Sequence, residues 1–207
     1  MATINSLTRQ SAAGLRLVLV MTVLLGIGYP LTVWAVAHLP GLAGKAEGSL
    51  VTVHGRPVGS ALIGVDPVPA DPGADPYFHA RPSASASGVL GPGDPSTSGG
   101  SNKAGDSPDL TRAVDQRRAL IAARDGVPPS AVPTDAVTAS GSGLDPDISP
   151  AYARLQLARV ARVTGLPAAT VQQLVERCTD GRTLGLFGDP GVDITELNAA
   201  VAQAGGR

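Results

Sequence analysis

One apolar run near the N-terminus constrains this chain more than any other feature. Leu17 to Ala37 are 21 consecutive residues without a charge, and about 20 are needed to cross a bilayer as a helix. Trp34 lies towards the far end, where aromatic side chains favour the membrane interface. The run predicts a transmembrane helix over residues 15–38. We expect a kink at Pro30, because its ring removes a backbone donor.

A cleavable signal peptide is the alternative interpretation of this run. Ala35-Val36-Ala37 matches the small-residue pattern of a cleavage site. The run is longer than the apolar region of about 7–15 residues in a signal peptide, and this length favours a permanent anchor. A secreted binding module, released by cleavage near Ala37, stays open as an alternative function.

The charge distribution predicts the orientation of the span. Residues 1–44 carry Arg9 and Arg16 and no acidic residue. Positive charge beside a span favours the cytoplasmic side, so residues 1–14 are predicted to be cytoplasmic and residues 39–207 extracytoplasmic. One span cannot enclose a transport path by itself, which indicates a membrane anchor with a domain attached.

The external region begins with two predicted strands, Leu50–Val53 and Val58–Ile63, and continues with a segment rich in glycine and proline. From Gly64 to Leu110, 16 of 47 residues are Gly or Pro. Residues 64–105 are therefore predicted to be irregular. They form either a disordered linker or an ordered loop that docks on a partner.

Helix signals concentrate in the second half of the chain. Four stripes of apolar residues have helical spacing, and each follows a helix-start signal. Three of the signals are a residue followed by proline, and the fourth is a capping box: Ser107-Pro108, Ser149-Pro150, Leu166-Pro167, and Asp193 with Glu196. Arg182–Phe187 is predicted to be a strand. The fold class is α+β: one N-terminal transmembrane helix, then an extracytoplasmic mixed domain with C-terminal helices.

The motifs of several enzyme classes do not occur in the sequence. There is no Walker-type phosphate loop and no G-x-S-x-G nucleophile elbow. Cys178 is the single cysteine, so it forms neither an internal disulfide nor a zinc site. Asp145 and Asp147 flank a proline, which is more typical of a turn than of a catalytic pair. We expect no catalytic residues and no metal ligands.

Residues 154–176 resemble a helix-turn-helix, with two helical patterns joined at Gly165. Their surroundings carry a local charge of +3, from Arg154, Arg159, Arg162, Arg177 and Arg182 against Glu176 and Asp180. Many proteins that bind no DNA contain such helical pairs, and the basic excess does not extend over the domain. No nucleic acid is expected as a partner, and a membrane-tethered transcription regulator stays as an alternative.

Two loops of small residues are candidate ligand or partner sites: Ser98-Gly99-Gly100-Ser101-Asn102 and Ser140-Gly141-Ser142-Gly143. Backbone N–H groups in such runs form anion-binding nests in some proteins. More often the small residues mark turns in which larger side chains do not fit.

Read in order, these segments resemble the KdpC subunit family of the Kdp potassium-importing P-type ATPase. The resemblance covers nearly the whole chain. It rests on Tyr29-Pro30, Gly59 to Gly64, Tyr77 to Ala84, Ser98 to Asn102, Val132 to Pro150, Arg159 to Ala161, Leu184 to Gly188 and Thr195 to Asn198.

The resemblance implies an accessory subunit that does not itself pump. Its implied partners are a potassium-channel-like subunit (KdpA-like), a P-type pump subunit (KdpB-like) and a small single-span subunit (KdpF-like). It implies roles in complex assembly and as a catalytic chaperone that raises the ATP affinity of the pump subunit. ATP-Mg and potassium are then handled by the partners, and direct contact of this chain with ATP stays open as an alternative. Tyr77, Phe78 and Arg81 are expected to contact a partner.

If the domain is extracytoplasmic, the loop Ser98–Asn102 and cytoplasmic ATP lie on opposite sides of the membrane. Such a loop changes ATP affinity only through linked conformational states. We therefore expect a lid and clamp, with the span packed on partner helices through Gly26 and Gly28 and the domain over the potassium entrance.

Overall fold

The structure is a computed structural model that describes residues 2–206, with side chains from residue 6 onwards. Met1 and Arg207, the outer ends of the predicted segments 1–14 and 39–207, lie outside the described residues. The chain forms two compact units, which meet in sequence between Gly48 and Ser49.

The N-terminal unit is dominated by one long helical segment. Helix α1 (Ala2–Val23) leads through a π-helical turn (Leu24–Gly28) into helix α2 (Tyr29–Ala37). The π turn ends two residues before Pro30, whose missing N–H interrupts the regular ladder of hydrogen bonds. Residues Ser6–Ala37 are long and apolar enough to cross a membrane, with a mean hydropathy of 2.0 over an 18-residue window, and none of that window is buried within the chain. A four-residue helix α3 (Ala43–Ala46) follows.

The second unit opens with an antiparallel hairpin of strands β1 (Leu50–Val53) and β2 (Arg56–Ser60). His54 and Gly55 form its two-residue turn with φ angles of 50° and 75°, the left-handed geometry that matches the twist of a hairpin. Both predicted strands are confirmed, although β2 begins two residues before the predicted start and ends before Ile63.

The four predicted helices are confirmed. They are α4 (Pro108–Asp125), α6 (Pro150–Thr164), α7 (Ala168–Arg177) and α8 (Ile194–Ala204), and a single helical turn α5 (Thr134–Val137) lies between the first two. Ser149 caps α6 by accepting the Tyr152 N–H at 3.0 Å. Gly165 ends it with a φ of 76°, a conformation that glycine adopts without strain.

A small antiparallel sheet, which the sequence did not predict, has the order β3 (Asp147–Ile148), β5 (Gly191–Asp193), β4 (Thr179–Asp180). The predicted strand Arg182–Phe187 is wrong. These residues form an exposed turn between β4 and β5. Its hydrogen bonds join Thr183 to Phe187 within the turn itself, so no neighbouring strand is paired.

The core of the second unit lies between α4, α6, α7, α8 and the small sheet. All but one of its largest fully buried apolar side chains come from seven helices and strands: Phe78, Ile121, Val137, Ile148, Tyr152, Val160, Val171, Val192, Ile194 and Leu197. Phe78 is the exception, because it comes from the irregular segment rather than from a helix or strand.

Candidate functional site

The irregular segment 64–83 is held in the domain by two amide side chains, the buried Gln156 and the half-buried Asn198, that bond its backbone. The Phe78 N–H donates to Asn198 Oδ1 at 2.8 Å, and Asn198 Nδ2 donates back to the Phe78 carbonyl at 2.9 Å. Gln156 does the same for His79, at 2.8 and 3.2 Å. Two helical amides thus satisfy buried peptide groups that otherwise carry a desolvation cost.

Arg159, on α6, connects the same segment to the helices. Its side chain is 3% exposed. The guanidinium donates to the carbonyls of Asp75 and Tyr77 at 2.8 and 2.9 Å and to the Asp125 carboxylate at 2.7 Å. Its Nη1 also lies 3.0 Å from the Asp75 carboxylate. The buried positive charge is therefore paired and hydrogen-bonded on several sides, as burial requires.

The imidazole of His79 lies between two carboxylates. Its Nδ1 is 3.0 Å from Asp66, and its Nε2 is 2.6 Å from Asp75. Burial alone lowers the pKa of His79, but the bonds to Asp66 and Asp75 outweigh burial, and the pKa is raised above its ordinary value. Burial raises the pKa of Asp75, yet the bond and charge of His79 bring that pKa below its usual range. A carboxylate at hydrogen-bond distance from each ring nitrogen indicates an imidazolium that donates from both nitrogens.

We call these groups, Asp66, Asp75, His79, Asp125, Gln156 and Arg159, the buried polar network. A groove of about 480 Å³ lies over it, with walls of proline and leucine and with Asp66, Asp75 and His79 in its lining. The polar atoms of the network are already paired with one another. The arrangement therefore orders the irregular segment and leaves no activated nucleophile.

The structure brings the two small-residue loops together. The Gly99 N–H donates to the Ser142 carbonyl at 2.7 Å, and Ser98 Oγ donates to the same oxygen at 3.1 Å. Gly143 has a φ of 73°, and a Cβ there would lie 2.9 Å from the Gly99 carbonyl, so only glycine permits this contact.

We call residues 98–102 and 140–143 the paired-loop surface. Ser140 Oγ accepts the Gly143 N–H at 3.0 Å. Ser101 and Asn102 are exposed, as are Gly141 and Ser142. Since the N–H groups of Gly99 and Gly143 are bonded within the surface itself, they are not available to an anion. The exposed side chains and carbonyls are what the surface offers to another molecule.

The three expected partner contacts have different environments. Phe78 is completely buried and packs in the core of its own domain, so only its neighbours reach the surface. Tyr77 is half-buried. Arg81 is half-buried and forms an ion pair with Asp145 at 3.0 Å, and its Nε is buried with no partner within residues 2–206.

The sequence did not identify the buried polar network as a unit. One signal was present: Gln156 and Arg159 lie three residues apart on the same face of α6 as the buried Tyr152 and Val160. A polar side chain on a buried stripe needs an internal partner. The identity of that partner, a backbone segment about 80 residues earlier in the chain, requires the fold.

A comparison with known proteins supplies the family. Residues 11–203 match the family described as KdpC: K+-transporting ATPase, c chain. The chain belongs to the KdpC family.

Individual relatives agree with this assignment. A potassium-transporting ATPase KdpC subunit from Kineococcus radiotolerans is 48% identical over 201 residues, which cover 97% of each chain. The KdpC subunit of Streptomyces coelicolor is 44% identical and covers 97% of this chain and 95% of its own. That of Polaromonas naphthalenivorans is 47% identical over 88% of each chain.

Membership in the KdpC family makes this chain a subunit of a K+-transporting ATPase with one candidate N-terminal membrane helix. The structure adds that Arg159, part of the basic stretch in the helix-turn-helix alternative, is buried in the network. It is therefore not at the surface where a phosphate backbone would contact it. Within residues 2–206, no group of three or more His, Cys, Asp or Glu side chains is placed to hold a metal ion.

Proposed function

We propose that this chain is a non-pumping accessory subunit of an ATP-driven potassium uptake complex, needed for the assembly and stability of that complex. The observation that carries the proposal is the family match, which runs through both the apolar helix and the folded domain. The self-satisfied polar network supports it, because the network maintains a shape and presents no reactive group.

The topology is part of the proposal. Residues 15–38 cross the membrane, the N-terminus is cytoplasmic and the folded domain is extracytoplasmic, as Arg9 and Arg16 favour. An introduced cysteine at the exposed Ser101, in a Cys178→Ser background, tests this. We expect an impermeant thiol reagent to label it in intact cells. Labelling only after permeabilisation would place the domain in the cytoplasm and favour the regulator alternative.

The proposed partners are a KdpA-like channel subunit, a KdpB-like pump subunit and a KdpF-like single-span peptide. The described apolar helix is exposed along its length, and Gly26 and Gly28 present little bulk on it. Small residues allow the backbones of membrane helices to approach closely. The span is proposed to pack on partner helices while the domain covers the potassium entrance as a lid and clamp.

The catalytic-chaperone role is proposed in an indirect form. With the domain outside, it raises the ATP affinity of the pump subunit by favouring one conformation of the complex, not by touching nucleotide. Complexes purified with and without this chain should then differ in ATP affinity. A nucleotide analogue should crosslink to the pump subunit and not to the paired-loop surface; a crosslink to that surface would overturn the indirect form.

A deletion tests the accessory role as a whole. Cells that lack this chain but express the remaining subunits should lose uptake at low external potassium and yield less assembled complex. The unaltered chain supplied in trans should restore both. Normal assembly and uptake without the chain would contradict the proposal.

A further inference from the structure

The turn between β4 and β5 has a fixed shape. The N–H groups of Thr183 and Phe187 donate to each other's carbonyls at 2.8 and 3.0 Å. At its base, Arg182 forms an ion pair with Asp189 at 3.1 Å. Leu184 and Gly185 adopt left-handed φ angles of 55° and 73°. We call residues 182–189 the apolar turn.

The side chains of the apolar turn point away from the domain. Leu184 is 86% exposed, Leu186 74% and Phe187 65%, in a domain whose other aromatic residues are buried or half-buried. Burial of apolar surface contributes about 25 cal/mol per Å². A cluster of three large apolar side chains at a protruding tip therefore marks a surface that another molecule covers.

The base of the apolar turn is acidic. Strands β3 and β4 flank β5, so Asp147 and Asp180 lie on either side of the strand that the turn enters. Partial desolvation, and then the neighbouring charges of Asp145, Asp180 and Glu196, raise the pKa of Asp147. Asp145 is paired with Arg81, whereas Asp147, Asp180 and Glu196 are exposed and have no ion pair within the described residues.

We infer that the apolar turn is the docking element by which this domain binds another subunit of the ATPase, inserting into an apolar pocket with a basic rim. The inference rests on the proposed function and deepens it. The preformed backbone lowers the ordering cost of insertion, and the acidic side chains at the base complement the basic rim.

Two other occupants fit the observations less well. An anionic bilayer repels the acidic residues at the base. The turn has no Trp or Tyr for the membrane interface, and its one cation, Arg182, is paired with Asp189. A second copy of this chain, joined symmetrically through the same face, would bring two acidic groups together.

Photocrosslinking identifies the occupant. A photoreactive amino acid at position 187 is activated in the full-length chain, assembled with the other subunits in membranes. We expect a crosslink to another ATPase subunit, on a peptide with apolar residues and flanking Lys or Arg. A crosslink to lipid, to a second copy of this chain or to nothing would overturn the inference.

Substitutions measure the strength of the contact. The pair Leu186→Gln and Phe187→Gln should lower the recovery of partner subunits about tenfold or more after dilution, as removal of two central interface anchors does. The matched control is Leu62→Gln with Leu120→Gln, two exposed leucines elsewhere on the domain, which should leave recovery unchanged. Equal recovery from both pairs would overturn the inference.

Recovery of partner subunits with the unaltered chain distinguishes a failure of this inference from a failure of the proposed function. If it fails to recover any ATPase subunit, the proposed function fails and the inference fails with it. If it recovers them and the turn variant does too, only the docking role of the apolar turn is lost.

Discussion

Two irregular segments of the same domain differ in what orders their backbone and in whether their apolar side chains are buried. Residues 64–83 have almost no regular structure, yet Phe78 and His79 are buried and their backbone groups are bonded by side chains from two helices. The apolar turn also lacks regular structure, but its backbone bonds to itself and its apolar side chains are exposed. Residues 64–83 are ordered by their contacts with the core, whereas the apolar turn is ordered by hydrogen bonds within its own backbone.

The difference indicates where sequence changes will act. Substitutions in the buried polar network remove partners from peptide groups that water cannot reach, so they should lower stability. Substitutions in the apolar turn remove side chains that contact little of the chain itself. They should lower binding and leave stability nearly unchanged.

Arg159→Ala should have the largest effect on stability. It removes the cation that Asp75 and Asp125 share and leaves Asp75 with His79 and Asp125 with Arg124; breaking a buried pair costs about 3–5 kcal/mol. Thermal unfolding of the purified full-length chain in detergent measures the loss. Arg154→Ala, on the exposed face of the same helix, is the control. An equal midpoint for both variants would contradict the role given to the network.

His79→Gln should lower stability in a manner that depends on pH. The pKa of His79 is raised in the fold, so its stabilising contribution is complete below its ordinary pKa of about 6.5 and is lost as pH rises through the raised value. The deficit of the variant should be about 2 kcal/mol at pH 6 and smaller at pH 9. A deficit that does not change between these pH values would argue against a charged imidazole.

Asp193 lies where the apolar turn rejoins the domain, and Asp193→Asn should raise the stability of the chain. Burial raises the pKa of Asp193 to about 6, so the fold favours its protonated form. That contribution is complete below about pH 4 and is lost as pH rises through 6. Asn caps a helix as well as Asp does, so the variant should gain about 1 kcal/mol at pH 8, a gain that shrinks towards pH 4.

The same unfolding measurements test this pH-dependent gain in stability. Asp193→Ala serves as the control, because it removes the side-chain oxygen that accepts the Glu196 N–H at 2.8 Å. It should be less stable than the Asn variant at every pH. A loss of stability on Asp193→Asn at pH 8 would show that the carboxylate is needed in its charged form.

Leu186→Gln with Phe187→Gln should have the smallest effect on the isolated chain. Both side chains are exposed, and exposed substitutions outside special features change stability by about 0.5 kcal/mol or less. Unfolding midpoints of variant and unaltered chain should coincide within that range. A large loss would mean that the turn packs on its own chain and would remove the contrast between the two segments.

The features of the fold that could be predicted from the sequence are those set by neighbouring residues. Ser149-Pro150 and Gly165 mark the two ends of one helix because capping depends on neighbouring residues, and the capping residue Asp193 is confirmed by its bond to Glu196. Asp145 turns the chain as expected, since it accepts the Asp147 N–H at 3.1 Å. The strands β3, β4 and β5 have two or three residues each, too few for a period to be detected.

The candidate site was predictable only in pieces. Both small-residue loops could be found from composition, but their contact joins residues more than 40 positions apart. Arg182 to Phe187 suggested a strand, because a short run of apolar residues does not reveal whether the side chains face a core or a partner. The buried network depends on Arg159 reaching Asp75, which no local pattern encodes.

We expect this chain to function as one subunit of a larger complex. Affinity purification of the tagged full-length chain, from detergent-solubilised membranes of potassium-starved cells, tests it most directly, with partners identified by mass. We expect recovery together with a channel-like subunit and a P-type pump subunit. Recovery of this chain alone, from membranes in which both of those subunits are present and intact, would contradict the account.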